Sequence, residues 1–163
     1  MKILLISDTH NDRQLLKNTV LPEYADEVQM AVHLGDFAKD LMHLQATFPN
    51  IQMMGVGGSF ELNEKTEHIF EVGDGEFKRR IMIMHGHTVD VKTGLSRIVN
   101  NARKKDVHAC FFGHTHMPVI LVEHDIFFMN PGSLSRPLYG NNGSYGLVTV
   151  SPQGEFHGDV IEI

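Results

Sequence analysis

The fold is set by ILLISDTH at residues 3–10, an apolar run of strand composition that ends in an aspartate and a histidine. Four later apolar runs end in the same way, each with a short polar cluster directly after it. The clusters are Gly35-Asp36, Gly58-Ser59, His85-Gly86-His87 and Gly113-His114-Thr115-His116. Since each cluster falls where a strand should end, the pattern predicts a sheet with its functional site at the carboxyl ends of the strands.

The composition favours a single acidic domain. A chain of 163 residues with 42% hydrophobic residues is long enough for one well-buried core and short for two, so we expect one domain over residues 1–163. The 14 Lys and Arg residues against 20 Asp and Glu residues give a net charge of -6, which argues against a nucleic-acid partner. A small phosphorylated substrate stays compatible with this charge if metal ions supply positive charge locally.

The chain carries no sign of export or of membrane insertion. Its single cysteine, Cys110, lies in an apolar run and excludes an internal disulfide. The first residues lack the basic, apolar and small-residue order of a signal peptide, and no apolar stretch is long enough for a membrane span. We therefore expect a cytoplasmic protein with no membrane partner. The sequence leaves open whether the chain forms a homo-oligomer.

Strand-like and helix-like segments alternate along the first part of the chain. Strands are predicted at residues 3–6, 30–34, 51–54, 81–84 and 109–112, and helices at residues 11–20, 38–48 and 97–105. After Pro118, runs at residues 119–122, 126–129, 145–150 and 159–163 are typical of antiparallel strands. This order predicts an α/β fold in which two β-sheets form a sandwich flanked by helices.

Asp8 and His10 stand two residues apart at a predicted strand end, where a carboxylate and an imidazole can converge on one cation. Taken alone, Asp8 and Asp36 are better explained as N-cap residues of the helices that follow them. The recurrence of ligand-type residues at three further strand ends favours a metal site instead.

His114 and His116 give the sharper signal, because two imidazoles two residues apart can serve two neighbouring cations. Gly113 before them clears space for close approach of the backbone. Histidines outside the clusters are expected to be hydrogen-bonded core residues or surface residues. These are His33, His43, His68, His108, His124 and His157.

The order of the clusters, followed by Asn130-Pro131-Gly132-Ser133, resembles the calcineurin-like metallophosphoesterases, and within them the small prokaryotic phosphodiesterase subfamily. The similarity runs from Met1 to about Arg136. It implies a four-layer αββα sandwich of two facing mixed β-sheets flanked by helices. It also implies one metal site from Asp8, His10, Asp36 and His116, and a second site from Asp36, His85, His114 and an asparagine.

The asparagine is replaced in this chain by Ser59, a shorter and poorer ligand that should weaken the second site. Phe60 stands where some members of the family carry a histidine thought to protonate the leaving group. We expect Glu61 to orient a ligand histidine. His87 is expected to support a ligand or to contact substrate, and Arg136 is either a phosphate contact or a surface residue after a Pro-Gly turn.

The resemblance implies hydrolysis of phosphodiesters by a hydroxide held between two divalent metal ions that Asp36 bridges, with no protein nucleophile. Manganese is the expected ion, with nickel, iron(II) and zinc as alternatives. The main competing hypothesis is a scaffold or binding protein, since the chain also resembles the retromer subunit that has this fold. A third hypothesis is a structural protein that keeps only the site of Asp8, His10, Asp36 and His116.

Overall fold

Ten strands and four short α-helices make up the structure, a computed structural model that describes residues 1–163. The strands are β1 (Lys2–Ile6), β2 (Met30–His33), β3 (Gln52–Gly55), β4 (Glu67–Val72), β5 (Arg79–Met84), β6 (Ala109–Phe112), β7 (Pro118–Glu123), β8 (Ile126–Pro131), β9 (Ser144–Val150) and β10 (Phe156–Glu162). The helices are α1 (Arg13–Leu15), α2 (Leu21–Tyr24), α3 (Lys39–Met42) and α4 (Ser96–Lys104). A π-helical turn at Leu16–Val20 joins α1 to α2, and 3-10 turns lie at Gly75–Phe77 and His87–Val89.

Each of the two sheets has five strands and mixes parallel with antiparallel pairing. The first sheet has the order β10-β9-β1-β2-β3, and the second has the order β4-β5-β6-β8-β7. The central strands are parallel within each sheet, whereas β9, β10, β4 and β7 pair antiparallel with their neighbours. Because parallel strands end at one edge, the loops after β1 and β2 lie together, as do those after β5 and β6.

The alternation of apolar residues along the strands places the core between the sheets. Ile3 and Leu5 of β1 face an inner cluster that also contains Ile83 and Phe111 of the second sheet. Leu4 on the opposite side of β1 packs into a cluster with α1, the π-helical turn and α2, and a third cluster lies between the second sheet and α4. A strand buried on both faces reads as a continuous apolar run, which is the pattern seen in the sequence.

The predicted architecture of two facing mixed sheets flanked by helices is confirmed. Every predicted strand is present with ends shifted by at most three residues, and the helix predicted at residues 97–105 is α4. The antiparallel pairs β7–β8 and β9–β10 follow Pro118 as predicted, although β8 also pairs parallel with β6. No helix has the length and apolar character that crossing a membrane requires.

Three elements differ from the sequence prediction. The edge strand β4 was not predicted, because its polar residues interrupt the apolar pattern. The first predicted helix is helical from Arg13 to Tyr24 rather than over residues 11–20. The second predicted helix ends at Met42 instead of residue 48, and turns follow. In these turns the Gln45 side chain forms hydrogen bonds with the backbone of Ile51 and Met53. Contacts with β3 and the residue before it therefore take the place of a continued helix.

Candidate metal centre

Four of the predicted ligands form one compact group at the ends of β1, β2 and β6. Asp8, His10, Asp36 and His116 each place a nitrogen or oxygen atom within 4.8 Å of the corresponding atoms of the others. The two carboxylates are buried, while the two imidazoles are partly exposed. The group therefore combines buried negative charge with nitrogen ligands that solvent can reach.

The hydrogen bonding of this group leaves ligand atoms free to bind a cation. Asp8 Oδ1 and His10 Nε2 are buried atoms with no hydrogen-bond partner of suitable geometry. The carbonyl of Arg136 accepts a hydrogen bond from His116 Nδ1 at 2.6 Å, so Nε2 faces the group, 3.0 Å from Asp8 Oδ1. Carboxylate and imidazole ligands held by such outer hydrogen bonds suit divalent first-row metal ions, so the residues fit the metal that the family resemblance implies.

A second group adjoins the first through Asp36. His85 Nδ1 donates to the carbonyl of Leu34 at 2.8 Å, which directs His85 Nε2 towards Asp36 Oδ1 at 3.4 Å and His114 Nδ1 at 3.1 Å. Ser59 Oγ lies 3.3 Å from the same His114 nitrogen, and the Ser59 amide donates to Asp36 Oδ1 at 2.6 Å. The structure thus brings the residues predicted for the second site together, with the Asp36 carboxylate common to both groups.

The backbone carries strain at five of the candidate ligands. The φ angles of Asp8, His10, Asp36, His114 and His116 are +54°, +46°, +55°, +68° and +57°, in the left-handed region that non-glycine residues rarely adopt. Such strain typically costs about 1–3 kcal/mol per residue and persists where the surroundings fix the conformation. The fold therefore holds these side chains in place before any ligand binds, a feature that the sequence pattern did not reveal.

Two glycines allow the segments to approach each other. A Cβ atom on Gly58 would clash with the backbone and Oδ1 of Asp36, and one on Gly113 would clash with Ser7 Oγ. Ser7 Oγ in turn donates a hydrogen bond to Asp8 Oδ2. Glycine is therefore required at both positions by close packing rather than by loop flexibility.

The histidines of the site differ in the direction in which their surroundings shift the pKa. Burial, reinforced by the neighbouring His85, lowers the pKa of His114 to about 4, which favours the neutral imidazole that a metal ligand requires. Burial also lowers the pKa of His10. The close contact of His116 Nε2 with the Asp8 carboxylate raises the pKa of His116. Burial alone would raise the pKa of Asp8, but His116, His85 and Ser7 together outweigh burial and lower it. This pair is stabilised as carboxylate and imidazolium when no cation is present.

Three further residues were predicted around the ligands, and one of them, Glu61, has other contacts than expected. Glu61 orients no ligand histidine, because its carboxylate accepts hydrogen bonds from the amides of Ala38 at 3.0 Å and Gly58 at 2.7 Å. It joins the loop after Asp36 to the loop that carries Ser59. Arg136 contributes its backbone carbonyl to His116. His87 lies beside His85, with a distance of 5.3 Å between the ring centroids, and its buried Nδ1 has no partner.

Phe60 projects at the rim of the site, with 67% of its surface exposed. Its ring centroid lies 6.0 Å from that of His10 and 6.2 Å from that of Phe37. A phenyl ring cannot donate a proton, so this position supplies no acid for a leaving group.

Several supporting residues were not assigned from the sequence. Ser133 Oγ donates to the carbonyl of Asp8 at 3.0 Å, and the buried Asn130 donates to the carbonyl of Gly113 at 2.9 Å. His33 is a hydrogen-bonded core residue as expected: it lies 3.0 Å from Thr9 Oγ1, and its Nδ1 accepts from the Gly35 amide at 3.2 Å. These side chains hold the backbone of the ligand segments. The motif Asn130-Pro131-Gly132-Ser133 was the one signal that pointed to any of them.

Comparison with known proteins agrees with this geometry. The family model for the calcineurin-like phosphoesterase superfamily domain matches residues 1–153. The probable metallophosphoesterase YsnB of Bacillus subtilis is 28% identical over 150 residues, which cover 92% of this chain and 85% of YsnB. The phosphodiesterase YfcE of Escherichia coli K12 is 37% identical over 71 residues, which cover 44% of this chain and 35% of YfcE.

The fold also matches a solved structure over its whole length. A Vps29 variant from Entamoeba histolytica superposes with a TM-score of 0.74 at 21% identity, covering 100% of this chain and 99% of the Vps29 chain. At this identity the likeness concerns the fold alone.

Proposed function

Since this chain belongs to the calcineurin-like phosphoesterase superfamily, we propose that it is a phosphodiesterase that depends on two divalent metal ions. The observation that carries the proposal is the position of Asp36. Its carboxylate belongs to the compact group with Asp8, His10 and His116, and it lies 3.4 Å from His85 Nε2 in the adjoining group. A carboxylate shared in this way can hold two cations as neighbours.

The proposed roles follow from the contacts. Asp8, His10, Asp36 and His116 hold the first cation, and Asp36, Ser59, His85 and His114 hold the second. Two divalent cations, when bound, supply an activated water and the positive charge that phosphoester hydrolysis needs. The buried carboxylates balance that charge, and the strained backbone at the strand ends keeps the ligands aligned. Manganese is the proposed ion because it accepts mixed oxygen and nitrogen ligands.

The proposed substrate is a small phosphodiester with a leaving group that departs without protonation. The local similarity to YfcE supports phosphodiesters as the substrate class. Phe60 at the rim provides no acid, so aryl phosphodiesters should react faster than alkyl ones.

The decisive experiment is an assay of bis(4-nitrophenyl) phosphate and 4-nitrophenyl phosphate with added Mn²⁺, with and without chelator. We expect metal-dependent hydrolysis that is faster for the diester and is abolished by chelator. The matched control is His114→Ala, which removes a ligand of the second group. If the metal-loaded protein hydrolyses neither ester faster than His114→Ala does, the enzyme proposal fails.

The alternative proposal is a binding or scaffold protein with little or no activity. It is supported by Ser59, which offers a poor ligand, and by the exposed apolar side chains of Phe60 and Leu62, 67% and 93% exposed, beside the site. The whole-chain likeness to the Vps29 fold is compatible with it. A metal-binding protein without turnover in the assay above would favour this alternative.

A further inference from the structure

An apolar cavity of about 380 Å³ opens beside the candidate metal centre. Seven of its nine lining residues are hydrophobic, and Lys92 is the only charged one. A cavity of this size can accommodate a substituent of a small molecule, and a single cation in an apolar lining selects for ligands that are anionic at one end. The cavity takes no part in the ligand geometry described above.

The cavity and the metal centre share the end of β6. Phe112, the last residue of this strand, is fully buried and lines the cavity, whereas His114 two residues later lies in the metal centre. Thr115, between His114 and His116, also lines the cavity. A group bound at the histidines therefore lies at the edge of the cavity.

The other two walls continue from segments of the metal centre. Val91 and Lys92 follow His85-Gly86-His87, and the Val91 amide donates to the carbonyl of Gly86 at 3.3 Å. Leu138 and Tyr139 form the outer wall, two residues after Arg136, whose carbonyl holds His116. Three walls of the cavity thus continue from segments that carry or support candidate ligands, and Leu95 at the start of α4 completes the lining.

The position of Lys92 indicates what lies at the boundary. Lys92 is an exposed residue five positions after His87, and it lines the same cavity as Thr115 of the ligand segment. An anion bound between Thr115 and the cavity would lie beside the only cationic side chain of the lining, which favours its binding.

We propose that this cavity binds an apolar substituent of the phosphodiester substrate and that Lys92 pairs with its phosphate. The inference rests on the proposed function, because the phosphate is placed at the metal centre. It adds a substrate class, namely phosphodiesters with one apolar ester group of about six carbons or one aryl ring. Transfer of each methylene into the cavity should tighten binding about fourfold where burial is complete.

The first test measures binding without turnover, using hexylphosphonate and methylphosphonate, which contain no ester bond to hydrolyse. Calorimetric titration of the Mn²⁺-loaded protein should show at least about tenfold tighter binding of hexylphosphonate, equivalent to burial of two methylene groups. Leu138→Gln and Met117→Gln, both in the lining, should bring the two affinities close together. Leu62→Gln, the same change at a residue 93% exposed and outside the cavity, should leave the preference intact.

Lys92→Gln should weaken the binding of both phosphonates by a similar factor of about three to ten. The ratio of the two affinities should stay the same, because the substitution removes charge and little apolar surface. Lys104→Gln on the exposed face of α4 serves as its control. Equal affinity of the wild-type protein for the two phosphonates, or no binding of either at millimolar concentration, would overturn the inference.

The second test separates this inference from the proposed function. Methyl 4-nitrophenyl phosphate and hexyl 4-nitrophenyl phosphate share a leaving group, so a preference for the hexyl ester in KM reports on the cavity. Turnover of both esters without a preference would refute the proposed role of the cavity and support the proposed phosphodiesterase activity. Tighter binding of hexylphosphonate without turnover of either ester would refute the proposed activity and support the proposed role of the cavity.

Discussion

Ser59 is the residue where this chain departs from the ligand set that the family resemblance implies. Its hydroxyl lies 3.3 Å from His114 Nδ1, and its amide bonds Asp36. The serine is therefore in the place of a ligand but offers only a neutral hydroxyl, which binds a divalent cation less well than an amide oxygen does.

We predict that Ser59→Asn tightens the second metal site and raises activity when metal is limiting. An asparagine oxygen reaches farther and donates better, while Asp36, His85 and His114 stay unchanged. Titration of both proteins with Mn²⁺ should show a second binding step about tenfold tighter in the variant, a typical scale for one added ligand contact. Ser151→Asn, in the turn before β10, should change neither step. An unchanged or weaker second step in Ser59→Asn would mean that the serine does not limit this site.

Asp36 and His87 should differ in their effect on activity. Asp36→Asn removes the charge of the shared carboxylate and should lower kcat/KM of the diester more than His87→Ala does. Loss of a residue that only supports a ligand typically costs about ten- to a hundredfold. Steady-state kinetics at saturating Mn²⁺ provide the comparison. Equal losses, or a larger loss for His87→Ala, would contradict the assignment of Asp36 as the bridge.

At the scale of elements, the strand ends position the chemistry. The parallel strands β1 and β2 deliver Asp8 and Asp36 to one edge of the first sheet, and β5 and β6 deliver His85 and His114 from the second. The turns after these strands are tight, and glycine is needed where two of them cross. The geometry of the site therefore depends on close backbone packing as much as on the ligands.

Gly113→Ala should disrupt the site without changing any ligand. Its Cβ would clash with Ser7 Oγ, which bonds Asp8, so the turn must shift. We expect a loss of stability of about 1–3 kcal/mol, as for other overpacked positions, together with weaker Mn²⁺ binding. Urea unfolding and metal titration measure the two effects. Gly75→Ala is the control for metal binding: its Cβ would point into open space, so it should leave metal affinity unchanged, although its φ of +53° makes some loss of stability expected there too. Normal metal affinity in Gly113→Ala would show that the turn can adapt.

At the scale of the whole molecule, the two sheets carry different halves of the centre. The inner core holds them together through contacts such as Phe127 of the second sheet against Phe156 of the first, whose ring centroids lie 5.8 Å apart, beside a cluster that includes Ile3 and Leu5 of β1. We propose on this basis that residues 1–163 form one cooperative domain. Loss of the core would separate the ligands of the second sheet from those of the first.

The stability of the metal-free protein should fall in acid through His33. Burial lowers the pKa of His33 from an ordinary 6.5 to about 3, so the folded state keeps this imidazole neutral while the unfolded chain takes up a proton. The stability that the neutral imidazole of His33 provides is complete above pH 6.5, and it is lost progressively as the pH falls towards 3. Between pH 7.5 and 5.0 it amounts to about 2 kcal/mol.

Urea unfolding in the presence of chelator at the two pH values measures this loss. His33→Asn keeps an acceptor for the Gly35 amide but cannot titrate, so its stability should fall by about 2 kcal/mol less over the same interval. Equal pH dependence in the two proteins would exclude His33 as the source.

The amino-acid sequence by itself determined nine of the ten strands and the types of side chain that form the site. Apolar runs such as residues 3–6 and 109–112 predict buried strands, because hydrophobic patterning is a local property of the chain. The polar clusters at their ends predicted which side chains would meet, since parallel strands end at a common edge. The family resemblance then arranged these residues into two groups.

Only the tertiary structure decided what depends on contacts between distant segments. Gln45 ends α3 early through bonds to Ile51 and Met53, Glu61 joins two loops instead of orienting a histidine, and Arg136 offers its carbonyl to His116. The left-handed backbone of the ligands and the apolar cavity beside Lys92 likewise arise from packing. The physical reason is that these features depend on which backbone groups the folded chain brings together, and no local pattern of residues encodes that.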